Sequence, residues 1–340
     1  MVRRITVALI SIGLLAALAT AFIGGSATAA DKPGLAVFYY NTSPYGIAEK
    51  NGGINAGKKA GFNVTTFTPN NDPKLEATQV QDAITSGKYK AFWMATLDPV
   101  SMAPVVKQAV AKGIIVGQAD YTFGGQAAQL KLKATPGITT TVGSDRVLSQ
   151  TSLVTMTLDA CKQAVGAGKP CKFAFMPGLT NFPTDVLKIN YLKKRFAKGP
   201  IHMTVMPQGG YDQPTAQKAA LTYFGAHKND NVIGTLGDQM TAGVLTAMKQ
   251  SGLKPGKKVK IWSVGGTKEM IAQMKKGLVT EVGGLWPRGE AEVGIPLLAK
   301  ALQGKKVPGA VNIISKQRPI IITQAFLKAN PKFVPDWNLG

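Results

Sequence analysis

From Gly34 onward the chain alternates short apolar runs with stretches of helical apolar spacing that mostly end on glycine. "LAVFYY" is followed by "GIAEKNGGINAGKKAG", "FNVTTFT" by "PKLEATQVQDAITSG", "AFWMAT" by "PVSMAPVVKQAVAKG", and then comes "IIVGQAD". Each apolar run is unbroken rather than alternating, the pattern of strands covered on both faces. Parallel strands need a crossover between them, and a helix is the usual one. After the loop-rich "TFGGQAAQLKLKATPG" the series restarts with "ITTTVG" and continues to "GEAEVGIPLLAKALQGKK". The expected fold is therefore α/β, with two doubly wound parallel-sheet lobes of similar size. A cleft should lie between the carboxyl ends of their strands, where open α/β sheets bind ligands.

The 340 residues suffice for two lobes with hydrophobic cores. Residues 1–30 stand apart from both. Arg3 and Arg4 precede an apolar run to about Ile23, and small residues follow at Ala27 and Ala29, the layout of a secretory signal peptide. The other reading, a membrane anchor, lacks a basic stop-transfer cluster after Asp31-Lys32-Pro33. No cysteine follows the run to accept a lipid, which suits a Gram-negative periplasm. The basic excess, 40 Lys+Arg against 18 Asp+Glu, gives +22, and +20 without Arg3 and Arg4. Lysine pairs such as Lys58-Lys59 and Lys275-Lys276 are scattered at helix ends, with no basic stripe interleaved with aromatics. A general surface property and an attraction to anions both stay open, and no nucleic-acid partner is expected. Cys161 and Cys171 suit either a local disulfide in an oxidising compartment or two separate buried thiols. With only His202 and His227 as histidines, no metal site is expected.

The order of these pieces resembles the type I periplasmic solute-binding proteins of the ribose-binding family. "INAGKKAGFNVTTFTPNNDPKLEATQVQDAITSGKYKAFWMATLDPVSMAPVVKQAVAKGIIVGQAD" is similar to that family's first lobe almost position by position, and "GDQMTAGVLTAMKQSG" to a helix start in its second. "GLWPRGEAEVG" is similar to a segment of the branch that binds rhamnose and furanosyl autoinducer. The resemblance implies three crossovers, near Val142–Asp145, Gly283–Leu285 and Ser315–Pro319, forming a three-stranded hinge. The first lobe would then comprise residues 31–143 and 285–316, the second 144–284 and 317–340. It also implies a monomeric, non-enzymatic, cofactor-free capture subunit that traps a carbohydrate-like solute by hinge closure and delivers it to an inner-membrane ABC permease.

Sugar sites combine polar groups for vicinal hydroxyls with aromatic faces for ring C–H groups. On the first lobe the candidates are Asn41, Ser43 and Tyr45 of "YYNTSPYG", with Tyr39 at the strand end. Asp120, closing "IIVGQAD", falls where the family's carboxylate accepts sugar hydroxyls, with Gln118 and Tyr121 beside it. Asp98 reads as a helix cap. On the second lobe, Tyr211 matches a ring-packing aromatic, Asn181 or Phe182 lines a loop, and Lys188 stands where relatives place an arginine. Asp238 supports the cleft floor and caps the following helix. Trp286 serves as an apolar wall or as a core tryptophan. Polar contacts of the family fall on Gly237, Gly265 and Leu285, so Gly265 in "VKIWSVGGTKEM" is expected to offer only backbone and space. Each unpaired hydroxyl costs about 1–3 kcal/mol. Ribose is therefore expected to bind poorly. A sugar derivative, polyol, furanose or anionic solute fits better.

Enzyme motifs such as HExxH or a full GxxxxGK[ST] are missing from the sequence, since Lys59 follows the Gly52–Lys58 match where Ser or Thr is required. A repressor with this core would carry a helix-turn-helix where residues 1–30 hold the export-like segment. A sensory receptor docking to a chemoreceptor or sensor kinase remains the alternative to a transport subunit.

Overall fold

A computed structural model describes residues 32–120, 122–124 and 132–339. The first series contains β1 (Gly34–Phe38), α1 (Pro44–Lys59), β2 (Asn63–Phe67), α2 (Pro73–Ser86), β3 (Tyr89–Met94), α3 (Ala103–Ala111), β4 (Ile115–Ala119) and β5 (Thr140–Gly143). The second contains α4 (Arg146–Val165), β6 (Cys171–Met176), α5 (Pro183–Phe196), β7 (Ile201–Val205), α6 (Gln213–Ala226), β8 (Val232–Thr235), α7 (Asp238–Gln250), β9 (Lys260–Gly265), α8 (Lys268–Lys275) and β10 (Glu281–Gly284). The chain ends with α9 (Pro287–Leu302), β11 (Ala310–Asn312), β12 (Ile321–Ile322) and α10 (Gln324–Ala329).

These elements build two lobes, each around a six-stranded sheet, in the orders β11-β5-β4-β3-β1-β2 and β12-β10-β9-β8-β6-β7. Every pairing is parallel except β10 with β12. Side-chain alternation along β1 sends Leu35 and Val37 into one core and Ala36 and Phe38 into another, on the opposite face of the sheet. That is why the strands read as continuous apolar runs. The second lobe is filled by Phe173, Phe175 and a fully buried Trp262. Each such side chain contributes about 1.5–3 kcal/mol by leaving water.

The chain passes between sheets after β5, after β10 and between β11 and β12. After β10 it enters α9, which lies against α1, β4 and β5 of the first lobe. A disulfide joins Cys161, near the end of α4, to Cys171 at the start of β6. Among the described residues no helix is long and apolar enough to cross a membrane.

The C-terminal segment was not foreseen from the sequence. After α10, Phe333 stands edge-on to both Trp286 and Phe326 and touches the cores of both lobes. Asp336 then accepts the backbone N–H groups of Arg288 (2.8 Å) and Gly289 (3.4 Å), in the first turn of α9. Trp286 at the start of α9 provides no side-chain cap. Asp336 supplies that cap from 48 residues away.

Candidate functional site

Just beyond the carboxyl ends of the strands lies a cleft of about 1160 Å³, its open mouth included. The first lobe lines it with Tyr40, Asn41, Ser43 and Tyr45 after β1, Asn71 after β2, Leu97 after β3, Asp120 after β4 and Ser144 after β5. The second lobe adds Leu179, Phe182, Thr184 and Lys188 after β6, Tyr211 after β7, and Leu236, Gly237 and Gln239 after β8. Val264 and Leu285 come from the ends of β9 and β10, and Ser149 and Ser152 from α4. The repeated strand–loop–helix unit thus delivers one or more groups per turn to a common space.

Asp120 is the polar centre of the first-lobe wall. Its backbone has φ +62°, a left-handed conformation uncommon for residues other than glycine. Its N–H is held by the Val142 carbonyl at 2.9 Å. Behind it sits Glu49 of α1, buried, with one carboxylate oxygen accepting the Tyr40 N–H at 3.3 Å. Burial lifts the Glu49 carboxyl well above its ordinary range, and the charges of Asp120 and Glu76 push it further. Asn41 donates to the Asn71 side chain at 2.8 Å and accepts from Ser43 N at 2.9 Å. Ser43 is also the N-cap of α1. The polar groups of this wall are therefore held in place by one another.

On the opposite wall, Asp185 is buried and organises three partners. Tyr211 donates its phenol to both carboxylate oxygens (2.8 and 2.9 Å), and Leu179 N donates at 2.8 Å. Lys188 lies 3.6 Å from the same carboxylate. Its charge is compensated where it stands, so the wall does not present a bare cation.

Seven of the sequence candidates line the cleft: Asn41, Ser43, Tyr45, Asp120, Phe182, Lys188 and Tyr211. Tyr39, Gln118, Asn181, Trp286, Asp238 and Gly265 do not, each for a local reason. Tyr39 is buried beneath the wall, and its neighbour Tyr40 takes the cleft-facing place. Gln118 is fully buried, and its side-chain oxygen accepts Phe123 N at 3.1 Å to shape the loop after Asp120. Asn181 is exposed, and Phe182 beside it lines the cleft. Trp286 belongs to the first-lobe core. Tyr121 lies outside the described residues. Asp98 accepts Val100 N and Ser101 N (2.9 and 3.3 Å) in the turn before α3.

Asp238 and Gly265 together require the largest correction. Asp238 does not cap α7, whose cap position, Gly237, has no side-chain bond. Its fully buried carboxylate reaches across to β9 and α8 instead. It accepts Ser263 Oγ on one oxygen and Thr267 N at 2.7 Å on the other. The Thr241 hydroxyl donates to Ser263 Oγ at 2.7 Å, which extends the network. Burial raises the Asp238 carboxyl, and the Ser263 and Thr267 bonds oppose the shift. This carboxylate occupies the space above Gly265: a Cβ there would lie 2.4–2.7 Å from its three terminal atoms. Gly266 follows with φ +86°. The pair of glycines therefore makes room for Asp238, and the space expected for a solute at Gly265 is filled.

The Gly265 carbonyl is a junction. It accepts Leu285 N at 2.9 Å, where the chain leaves the second sheet, and Trp337 Nε1 at 3.2 Å. Trp337 is 5% exposed, lines the cleft and stands edge-on to Tyr45 at 5.4 Å. Tyr45 in turn stacks with Tyr40 at 6.2 Å. The cleft's aromatic wall is therefore Tyr40–Tyr45–Trp337. Sequence reasoning names Tyr45 and leaves Trp286 between wall and core; Trp286 lies in the core, and Trp337 goes unnamed. The spacing of apolar residues around Trp337 carries no signal of its position.

Two lobes linked by three crossings, with polar and aromatic groups gathered at the strand ends between them, define a two-lobed solute receptor. The chain belongs to the periplasmic binding protein domain family, whose model matches residues 35–306. No curated protein matches it at a significant level. Among solved structures, a galactofuranose binding protein is 18% identical, covers 88% of this chain and 99% of its own, and superposes with a TM-score of 0.72. A Mycobacterium smegmatis protein in complex with β-D-fucofuranose gives 18% identity, 88% and 93% coverage and a TM-score of 0.74. A Bacillus halodurans ABC transporter solute-binding protein with bound myo-inositol gives 15%, 89% and 99%, and 0.72. At these identities the likeness is one of fold.

Proposed function

We propose that this chain is the capture subunit of an ATP-driven carbohydrate importer and holds one small neutral sugar or polyol, furanose forms included, between its lobes. The observation that carries the reading is the cleft itself. It sets the Asp120 carboxylate and the Asn41–Asn71 pair opposite Tyr211 and Gln239, with Tyr40, Tyr45 and Trp337 as ring-sized apolar faces. Carboxylate and amide groups match vicinal hydroxyls, and aromatic faces match ring C–H groups. Pairing of Lys188 with Asp185 favours a neutral solute over an anionic one. The named ligands of the similar structures, β-D-fucofuranose and myo-inositol among them, fit the same range.

In this reading residues 1–30 are a cleaved export signal, the mature chain works in the periplasm as a non-enzymatic monomer, and the membrane permease is its macromolecular partner. Ligand binding shifts the balance between open and closed lobes. A thermal-shift screen of the mature chain against neutral sugars, polyols, sugar acids and sugar phosphates tests it. A solute at 100 times its Kd adds about 2.7 kcal/mol of stability. A neutral sugar or polyol is expected to raise Tm, with sugar acids and phosphates giving less. A response confined to anions would refute the reading.

A further inference from the structure

The final residues tie the two lobes together at the cleft. On the first-lobe side, the Asp336 carboxylate accepts Arg288 N and Gly289 N, and the Arg288 guanidinium donates to the Asp336 carbonyl at 3.3 Å. On the second-lobe side, Trp337 Nε1 donates to the Gly265 carbonyl, and Lys268 N donates to the Trp337 carbonyl at 3.1 Å. Leu339 N then donates to Glu269 at 2.8 Å. The first set lies at the start of α9 and the second at the start of α8, so consecutive residues are bonded to different lobes. The indole between these anchors is buried, touches Tyr45 of the first lobe and lines the solute space.

We infer that Asp336–Leu339 is a strap that holds the lobes together across the cleft and supplies Trp337 as a specificity-determining wall of the solute site. The wall function rests on the solute-capture reading above, whereas the strap function does not. Two features support the assignment. The Gly265 carbonyl holds both the crossing at Leu285 and the Trp337 indole, so the strap is fastened at the hinge itself. Moreover, Gly265 has no side chain and no space for one, so the second-lobe wall at this point is built by Trp337. The tail thereby replaces a local side chain with a distant one, and the shape of the site depends on whether the strap is docked.

The test compares the mature full-length chain with a chain ending at Pro335 and with the Trp337→Ala and Asp336→Ala variants. Small-angle X-ray scattering without added solute reads the lobes. Thermal-shift titrations with D-allose, D-fucose, myo-inositol and D-ribose read the site. The chain ending at Pro335 is expected to show a larger radius of gyration, and Asp336→Ala a smaller increase in the same direction. Trp337→Ala is expected to weaken the best wild-type sugar at least tenfold and to change the ranking of the panel. Unchanged scattering for both the shortened chain and Asp336→Ala would overturn the strap. Trp337→Ala binding within twofold of wild type and with the same ranking would overturn the wall. If a shortened chain fails to melt cooperatively, Asp336→Ala alone decides the strap. A wild-type chain that binds none of the panel counts against the sugar reading, and scattering then decides the strap by itself.

Discussion

At the residue scale, Gly265 shows how absence of a side chain can carry structural information. An acidic or polar residue at the end of β9 would point into the same volume that Asp238 fills from α7. Two carboxylates in that volume, both out of water, would repel. One carboxylate shared by Ser263 and Thr267 is stable because each oxygen has a donor. Gly265→Ala should therefore act on folding before it acts on binding. It is expected to lower stability by about 2–3 kcal/mol, the range for overpacking a filled core. Urea denaturation at fixed pH measures this, and a neutral effect would mean that the Asp238 network yields easily. Asp120 could be placed at the cleft from the sequence because the family resemblance aligns it with a carboxylate at a strand end, and it does line the cleft. Trp337 could not, because its place depends on a bond to a carbonyl 72 residues earlier. Local sequence does not reveal which of two tryptophans a distant backbone will hold.

At the scale of elements, the β-α alternation was readable because burial on both faces imposes continuous apolar runs on the strands. The short β11, β12 and α10 escaped it: with 3, 2 and 6 residues they are too brief to show a period. Below the first-lobe cleft, α2 carries Glu76 into the core, where its carboxylate accepts Leu97 N at 3.1 Å and fixes the loop after β3. Burial raises this carboxyl from 4.5 to about 7. The folded chain thus holds that proton more tightly than the unfolded one. The stability it contributes is fully present below pH 4.5 and is lost as pH rises through about 7. Glu281, also raised to about 7 by burial, acts in the same direction. Urea midpoints are expected to fall between pH 5 and pH 8. Glu76→Gln, which keeps an acceptor for Leu97 N, should flatten the slope and be more stable than wild type at pH 8 by about 1 kcal/mol or more. A variant with the wild-type slope would contradict this. The Cys161–Cys171 bond staples α4 to β6 across a separation of ten residues. Replacing both by serine should cost about 3 kcal/mol by loop entropy. Equilibrium unfolding of the oxidised wild type against the double variant reads that difference.

For the whole molecule, the architecture places the carboxyl ends of β1 to β10 against one space and leaves the two walls unequal. The first wall is polar and anchored by Asp120. The second is held by Asp185, which binds Tyr211 and compensates Lys188. A basic excess of +22 read from sequence suggests an anion-seeking protein. The cleft does not follow that average, because among the described residues its one lining lysine is paired. The general charge and the local site answer to different physics, one to the solvated surface and the other to a partly desolvated pocket. The central claim is that a neutral sugar or polyol is held in this cleft with Asp120 as a principal acceptor. Isothermal titration of the best solute from the thermal-shift screen into wild type and Asp120→Asn tests it most directly, because asparagine also tolerates the left-handed backbone at this position. The account predicts one solute per chain for wild type and at least tenfold weaker binding for the variant, about 1.4 kcal/mol or more. Equal affinity in the two proteins would contradict it.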